Sequence, residues 1–164
     1  MSVEMETIRE RIIKQFIERA KVICSSSPLI YNTELGLKPA LRHRQTISPN
    51  ETPCIVVWAF PEEAVNEYGK SVRSMVVRIE GFVYLTEGDD RSVVAEQVLG
   101  DLIRCFTSPE WNRRTGSPPE PDTILSLQYI GGGVSDFKDE EYTVGAYINV
   151  SVKYATEIGN PYKL

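Results

Sequence analysis

Between residues 73 and 106 a long alternating segment passes through the turn residues Thr86-Glu87-Gly88-Asp89-Asp90 into an amphipathic helical pattern. This change of period constrains the fold more than any other part of the chain. Over residues 72–86, Met75, Val77, Ile79, Val83 and Leu85 share one face while Arg78 and Glu80 take the other, which is the period-two pattern of a strand. Asp89 or Asp90 then stands where a carboxylate accepts a hydrogen bond from the first exposed amides of a helix and complements its positive dipole end. Val94, Val98, Leu102 and either Cys105 or Phe106 form the helical stripe, flanked by Leu99 and Ile103, and Thr107-Ser108-Pro109 stops it.

The remaining segments fall into place around this unit. Residues 3–24 repeat apolar side chains at helical spacing, Ile8, Ile12, Phe16, Ala20 and Ile23, with Ile13 and Ile17 widening the stripe and Glu10 four residues before Lys14. Ser25-Ser26-Ser27-Pro28 ends that helix, and residues 29–37 have no regular pattern. An alternation over residues 38–47 sets Lys38, Arg42 and Arg44 against Leu41, His43 and Ile47, a short strand that Pro39 confines to a sheet edge. Residues 53–60 are apolar on both faces, as in a strand covered on both sides, with Trp58 and Phe60 read as core. Residues 61–71 read as a polar connection.

Near the C-terminus two alternating segments follow. Leu125, Leu127 and Tyr129 define one inward face, and Tyr142, Val144, Ala146, Ile148, Val150, Val152 and Tyr154 the other. Gly131-Gly132-Gly133 has the freedom to join them as a hairpin hinge. The order helix, three strands, helix, two strands predicts an α+β fold, a mostly antiparallel sheet of four to five strands with two helices packed on one face. It predicts a single domain over residues 1–164, with exposed loops near 61–71, 107–121 and 131–140. At 164 residues such a domain buries roughly 70% of its unfolded surface and needs no disulfide or metal to hold it.

Charge and reactive groups narrow the function classes. A net charge of −5 argues against a general nucleic-acid binder, because phosphate affinity rests on Lys and Arg displacing counterions. Cys24, Cys54 and Cys105 are odd in number and set in apolar stretches, so they are expected as buried free thiols in a reducing cytoplasm. Glu4, Glu6, Arg9, Glu10 and Arg11 break the apolar run that a signal peptide requires, and no window is long enough for a membrane helix. The expectation is a soluble, intracellular protein without membrane contact. His43 is the sole histidine, with no nucleophile signature near it, and the cysteines lack zinc-site spacing, so no catalytic residue, cofactor or metal is expected. The carboxylates Asp89-Asp90 and Asp136 with Asp139-Glu140-Glu141 read as solvated turn charge.

Two features read as candidate assembly surfaces. The cations Lys38, Arg42 and Arg44 serve either as a partner surface or as charges that protect an edge strand. Trp111, Arg113 and Arg114 lie in the long Pro-rich segment 110–122 and serve either to grip an acidic or aromatic partner, as the length, Trp and Arg suggest, or simply as solvated loop charge.

The passages LKPALRHRQTISPNETPCIVVW (37–58), RSMVVRIEGFVYL (73–85), DDRSVVAEQVLGDLIRCF (89–106) and YTVGAYINVSVKYAT (142–156) occur in an order that resembles the tail terminator (tail completion) proteins of long-tailed bacteriophages and prophages. The likeness covers nearly the whole chain and lies in its layout rather than in one motif. It implies a virion tail protein assembled in the host cytoplasm. Such a protein forms a homohexameric ring on the last ring of the tail tube protein, stops tube growth and presents a surface to the head connector protein. DNA would be only passing cargo, no reaction is involved, and the acidic balance of the chain fits a conduit, since a lumen with few cations would not retain passing phosphate. A closed ring needs a heterologous interface, with one patch fitting a different patch on the next subunit. Segments 110–122 and 131–141 are the expected sources of that reach. A head-tail connector or neck protein of the same virion shares this layout, and a small enzyme or ligand-binding domain with scattered site residues is the alternative of a different class.

Overall fold

The computed structural model describes residues 6–27, 30–108, 111, 124–135 and 142–162. Helix α1 (Ile8–Ala20) starts where the Thr7 side chain accepts from the Glu10 amide at 3.1 Å. The chain's C-terminal end supports the same terminus, since the Ile8 amide donates to the Pro161 carbonyl at 2.9 Å. α1 stops at Ala20, earlier than the apolar stripe predicts. Ile23 is still buried, but it sits in a turn whose carbonyl accepts from the Gly36 amide at 2.7 Å. A side chain at Gly36 would stand 2.5 Å from the Ala20 carbonyl oxygen, so only glycine lets this loop close against the helix end.

Among the described residues the sheet has six strands, one more than the upper bound expected, and is antiparallel except at one edge. They are β1 (Leu41–Arg42), β2 (Cys54–Ala59), β3 (Glu63–Glu67), β4 (Lys70–Tyr84), β5 (Ile124–Ser135) and β6 (Thr143–Glu157). Their order is β1-β2-β4-β6-β5, with β3 also paired to β4. β4 and β6 run side by side from Lys70↔Glu157 to Tyr84↔Thr143 and form the spine. β2 and β3 follow one another along the other side of β4. Between the pairs Ala59↔Val77 and Glu63↔Ser74 they carry one more residue than β4 does, so Phe60, Pro61 and Glu62 form a bulge, a position where proline removes no ladder bond.

Helix α2 (Arg91–Thr107) is capped by Asp90, whose carboxylate accepts from the Ser92 and Val93 amides at 2.9 and 3.2 Å. α2 lies over β6, β5 and β4, and α1 lies over β2 beside it, so both helices cover one face. The core between helices and sheet includes Ile12, Phe16, Ile79, Leu102, Phe106, Ile148 and Tyr154. Burying this many large apolar side chains is the dominant force holding the layers together. On the opposite face a second, smaller cluster of Cys54, Val56 and Phe82 packs with Leu41, Ile47 and Trp58. β2 is therefore covered on both sides, as its unbroken apolar run requires, although Phe60 beyond it is substantially exposed.

Several sequence expectations need correction. The alternation over 38–47 yields only the two residues of β1, because His43 takes a left-handed conformation (φ 50°) that ends the ladder. The connection 61–71 contains β3, a hairpin arm joined to β4 by Tyr68 (φ 49°) and Gly69 (φ 75°), a two-residue turn whose twist suits antiparallel strands. Gly131-Gly132-Gly133 is not a hinge but strand, paired with Asn149, Ile148 and Tyr147. Leu125 points away from the core at 55% exposure, because an irregularity between Ile124 and Ser126 shifts the face that β5 presents. Glu10 pairs with Arg42 rather than Lys14, and Lys14 bonds Glu6. Cys24 is only partly buried, while Cys54 and Cys105 are buried free thiols. Most of the segments 110–122 and 131–141 that were expected to reach a neighbour lies outside the described residues.

Candidate assembly surfaces

The predicted basic surface is engaged within the subunit. Lys38 Nζ donates to the Asn50 and Thr52 carbonyls at 2.7 and 3.0 Å. Arg42 makes a bidentate pair with Glu10 at 2.7 and 3.1 Å, and this hydrogen bonding holds the Glu10 carboxyl below its usual range. Arg44 reaches Glu51 at 2.7 Å. The three cations thus pin the 38–52 segment to α1 and to the short turn Pro49–Glu51. Trp111 is also used internally. Its ring lies 5.3 Å from Phe16 and 6.1 Å from Phe106, edge-on to both, with the Arg19 guanidinium 5.6 Å over it. Arg113 and Arg114 lie outside the described residues.

Two carboxylates missed by pattern reading organise the fold. Asp101, 1% exposed in α2, accepts from the Asn32 amide at 3.0 Å, the Thr33 amide at 2.8 Å and the Thr33 hydroxyl at 2.6 Å. It fixes the irregular segment before β1 onto α2. Glu62, in the bulge, takes Arg73 at 2.8 Å and Arg9 at 3.5 Å and accepts from the Tyr154 hydroxyl. Burial pushes the Glu62 carboxyl up, but the Tyr154 and Arg73 hydrogen bonds outweigh it and leave the group below its ordinary value. These residues line a hollow of about 80 Å³ with Thr7, Thr156 and Pro161, small against the roughly 300–1,000 Å³ of pockets that enclose small molecules.

The reactive groups sit apart from that hollow. Burial pushes the Cys105 thiol up to about 12 and the Cys54 thiol up to about 11, far from the thiolate that nucleophilic chemistry uses. His43 packs its ring 5.3 Å from Trp58, and its Nε2 accepts from the Ala59 amide at 3.5 Å. Among the described residues no three His, Cys, Asp or Glu side chains gather as metal ligands, and no helix is long and apolar enough to cross a membrane.

On the sheet face away from the helices, Arg78 lies 3.8 Å over the Tyr147 ring and 3.7 Å from Glu80, whose carboxyl is raised by burial. This cross-strand row stacks Arg78 against Tyr147 on the sheet surface. The sheet's margins differ from one another. β2's outer side is occupied, by β1 at Val56 and Val57, by His43 at the Ala59 amide, and by Arg9 at the Phe60 carbonyl (2.9 Å). β3 is exposed at every residue, and its turn ends in Tyr68 at 102% exposure. β5 is the outermost strand on the far side among the described residues, and residues 125–135 carry no charge, with Leu125, Tyr129, Ile130 and Val134 exposed. Natural edges are usually blunted by charge, proline or cover, and residues 125–135 carry neither charge nor proline. No protein-family model and no curated protein matches this chain, which leaves the fold and these two margins as the ground for a functional reading.

Proposed function

We propose that this protein is a structural subunit of tail-terminator type, which forms a ring that caps the tail tube, stops its elongation and offers a surface for head joining. The observation that carries the reading is the pair of unlike margins. β3 is exposed at every residue on one side of the sheet, and β5 bears exposed apolar side chains on the other. A ring built by rotation needs two different patches on opposite flanks of each subunit, and this subunit presents them. The order of elements quoted above, which resembles that of tail terminators, supports the same reading. The tail tube protein, the head connector protein and further copies of this chain are then the partners, with DNA passing through without being held and the virion tail as the place of residence.

The test is a tube-growth assay. Tail tube subunits of the same phage are polymerised with and without this protein, and tube lengths are measured by negative stain. Short tubes with added density at one tip are the expected result. An unchanged length distribution with bare tips, or binding to the portal side alone, would refute the terminator role.

A further inference from the structure

We infer that β3 is a docking edge for a strand of another protein, one that carries Lys or Arg, then an apolar residue, then Lys or Arg at alternate positions. The inference goes beyond the ring reading and does not rest on it. β3 covers only the part of its margin level with Lys70–Ser74, and β2 with β1 makes up the rest.

The backbone supplies the edge. Tyr68 and Gly69, both left-handed, close the β3–β4 hairpin as a two-residue turn, so the pair Glu67↔Lys70 beside it is hydrogen-bonded. Hydrogen-bonded and non-hydrogen-bonded pairs alternate along an antiparallel ladder, so Val65 and Glu63 also turn their amides and carbonyls toward β4. Ala64 and Asn66 turn theirs outward, and no strand lies beside them among the described residues. β3 contains neither proline nor bulge, and each of its 5 residues is exposed.

The side chains specify the occupant. Glu63, Val65 and Glu67 stand opposite Ser74, Val72 and Lys70, on the sheet face that carries Arg78. Glu10, Glu51 and Glu62 each meet a guanidinium within the subunit, whereas Glu63 and Glu67 have no ion-pair partner among the described residues. β4 offers half of the complement, with Lys70 opposite Glu67 and Val72 opposite Val65, and one strand further in Lys70 faces Glu157 while Ser74 faces Lys153. An antiparallel strand added outside bonds to Ala64 and Asn66. Glu63, Val65 and Glu67 then occupy the non-hydrogen-bonded pairs, where side chains approach most closely. Cations at the two outer positions meet both carboxylates, and an apolar side chain between them covers Val65, which is 59% exposed. Another copy of this chain offers no such edge strand among the described residues: β5 carries no charge, and Lys38, Arg42 and Arg44 are committed within their own subunit. Charges on an edge also deter indiscriminate pairing, and that role alone would leave β3 with no strand partner at all.

The experiment uses the full chain and two disulfide-closed hairpin peptides that hold one strand extended, Lys-Thr-Val-Thr-Lys in the first and Glu-Thr-Val-Thr-Glu in the second. Binding is titrated by fluorescence anisotropy at low salt, and the site is located by hydrogen exchange read by mass spectrometry. The inference expects the lysine hairpin to bind saturably and to slow exchange within residues 62–68. Binding should weaken about tenfold in the double variant Glu63→Gln with Glu67→Gln, and as much for the glutamate hairpin. No saturable binding of the lysine hairpin at millimolar concentration, protection elsewhere on the chain, or equal affinity for the double variant would overturn it. So would protection of residues 62–68 that grows with protein concentration in the absence of peptide, since a second copy would then hold the edge.

Discussion

Replacing Trp111 by alanine separates a packing role from an interface role. The ring stands edge-on to Phe16 and Phe106 and lies beneath Arg19, and Arg19 itself donates to the Cys105 carbonyl and the Ser108 hydroxyl at 3.1 Å each. Removing a fully buried Trp costs about 3–5 kcal/mol. Trp111 is half-buried, which lowers the transfer part, while two aromatic contacts at about 0.5–1.5 kcal/mol each and one cation–π contact hold the total up. The expected loss is about 2–3 kcal/mol. At roughly 2–4 °C per kcal/mol for a domain of this size, the melting temperature falls by about 4–12 °C. Differential scanning calorimetry of Trp111→Ala, with Trp111→Phe retaining part of the stack, measures it. A melting temperature within about 1 °C of wild type, together with weakened self-association, would show that the ring serves a partner and that the packing argument is wrong.

Other substitutions probe the interior carboxylates and the loop closure at Gly36. Asp101→Ala removes the acceptor shared by the Asn32 and Thr33 amides and should lower stability by about 1–3 kcal/mol in urea unfolding, with Asp101→Asn losing less because one acceptor oxygen remains. Glu62→Gln should cost about 1–2 kcal/mol at neutral pH. Because the folded Glu62 carboxyl lies below its ordinary value of 4.5, that stability is fully present above about 4.5 and is lost as pH falls through the lower folded value. Wild type and Glu62→Gln should therefore converge in stability on acidification, and a gap unchanged at low pH would show that the ion pairs contribute little. Gly36→Ala forces a Cβ against three carbonyl oxygens at the end of α1, and chemical denaturation should show a loss of about 1–3 kcal/mol.

How much of this was legible in the sequence depends on what each residue buries. β4, β6 and α2 could be read directly, because alternate or helical positions such as Val77, Ile79, Ile148, Val150, Val98 and Leu102 enter one core and leave their period in the chain. β3 left no such trace, since a hairpin arm exposed throughout buries nothing and is held by the ladder to β4 and a Tyr-Gly turn. In β5 the alternation broke where two irregularities shift its register, which turned Leu125 outward and hid the length of the strand. Asp101 left no signal in the sequence, because the backbone amides that stabilise it come from a loop 68 and 69 residues away. The local Glu10–Lys14 spacing lost to a bidentate Arg42 brought in by the tertiary fold. Trp111 and the cations were visible as residue types, but their partners, Phe16, Phe106, Glu10 and Glu51, could be identified only in three dimensions.

The central claim is that this chain closes a ring, and the mass of its assembled form tests it most directly. Light scattering after size exclusion would be run on concentrated protein, alone and with tail tube subunits, with negative-stain images of the largest species. The account predicts a ring of several copies of the 18.5 kDa chain, about six if the likeness to tail terminators extends to ring order, either free or seated on a tube end. An 18.5 kDa monomer in both samples, or a twofold dimer that closes without a ring, would contradict it.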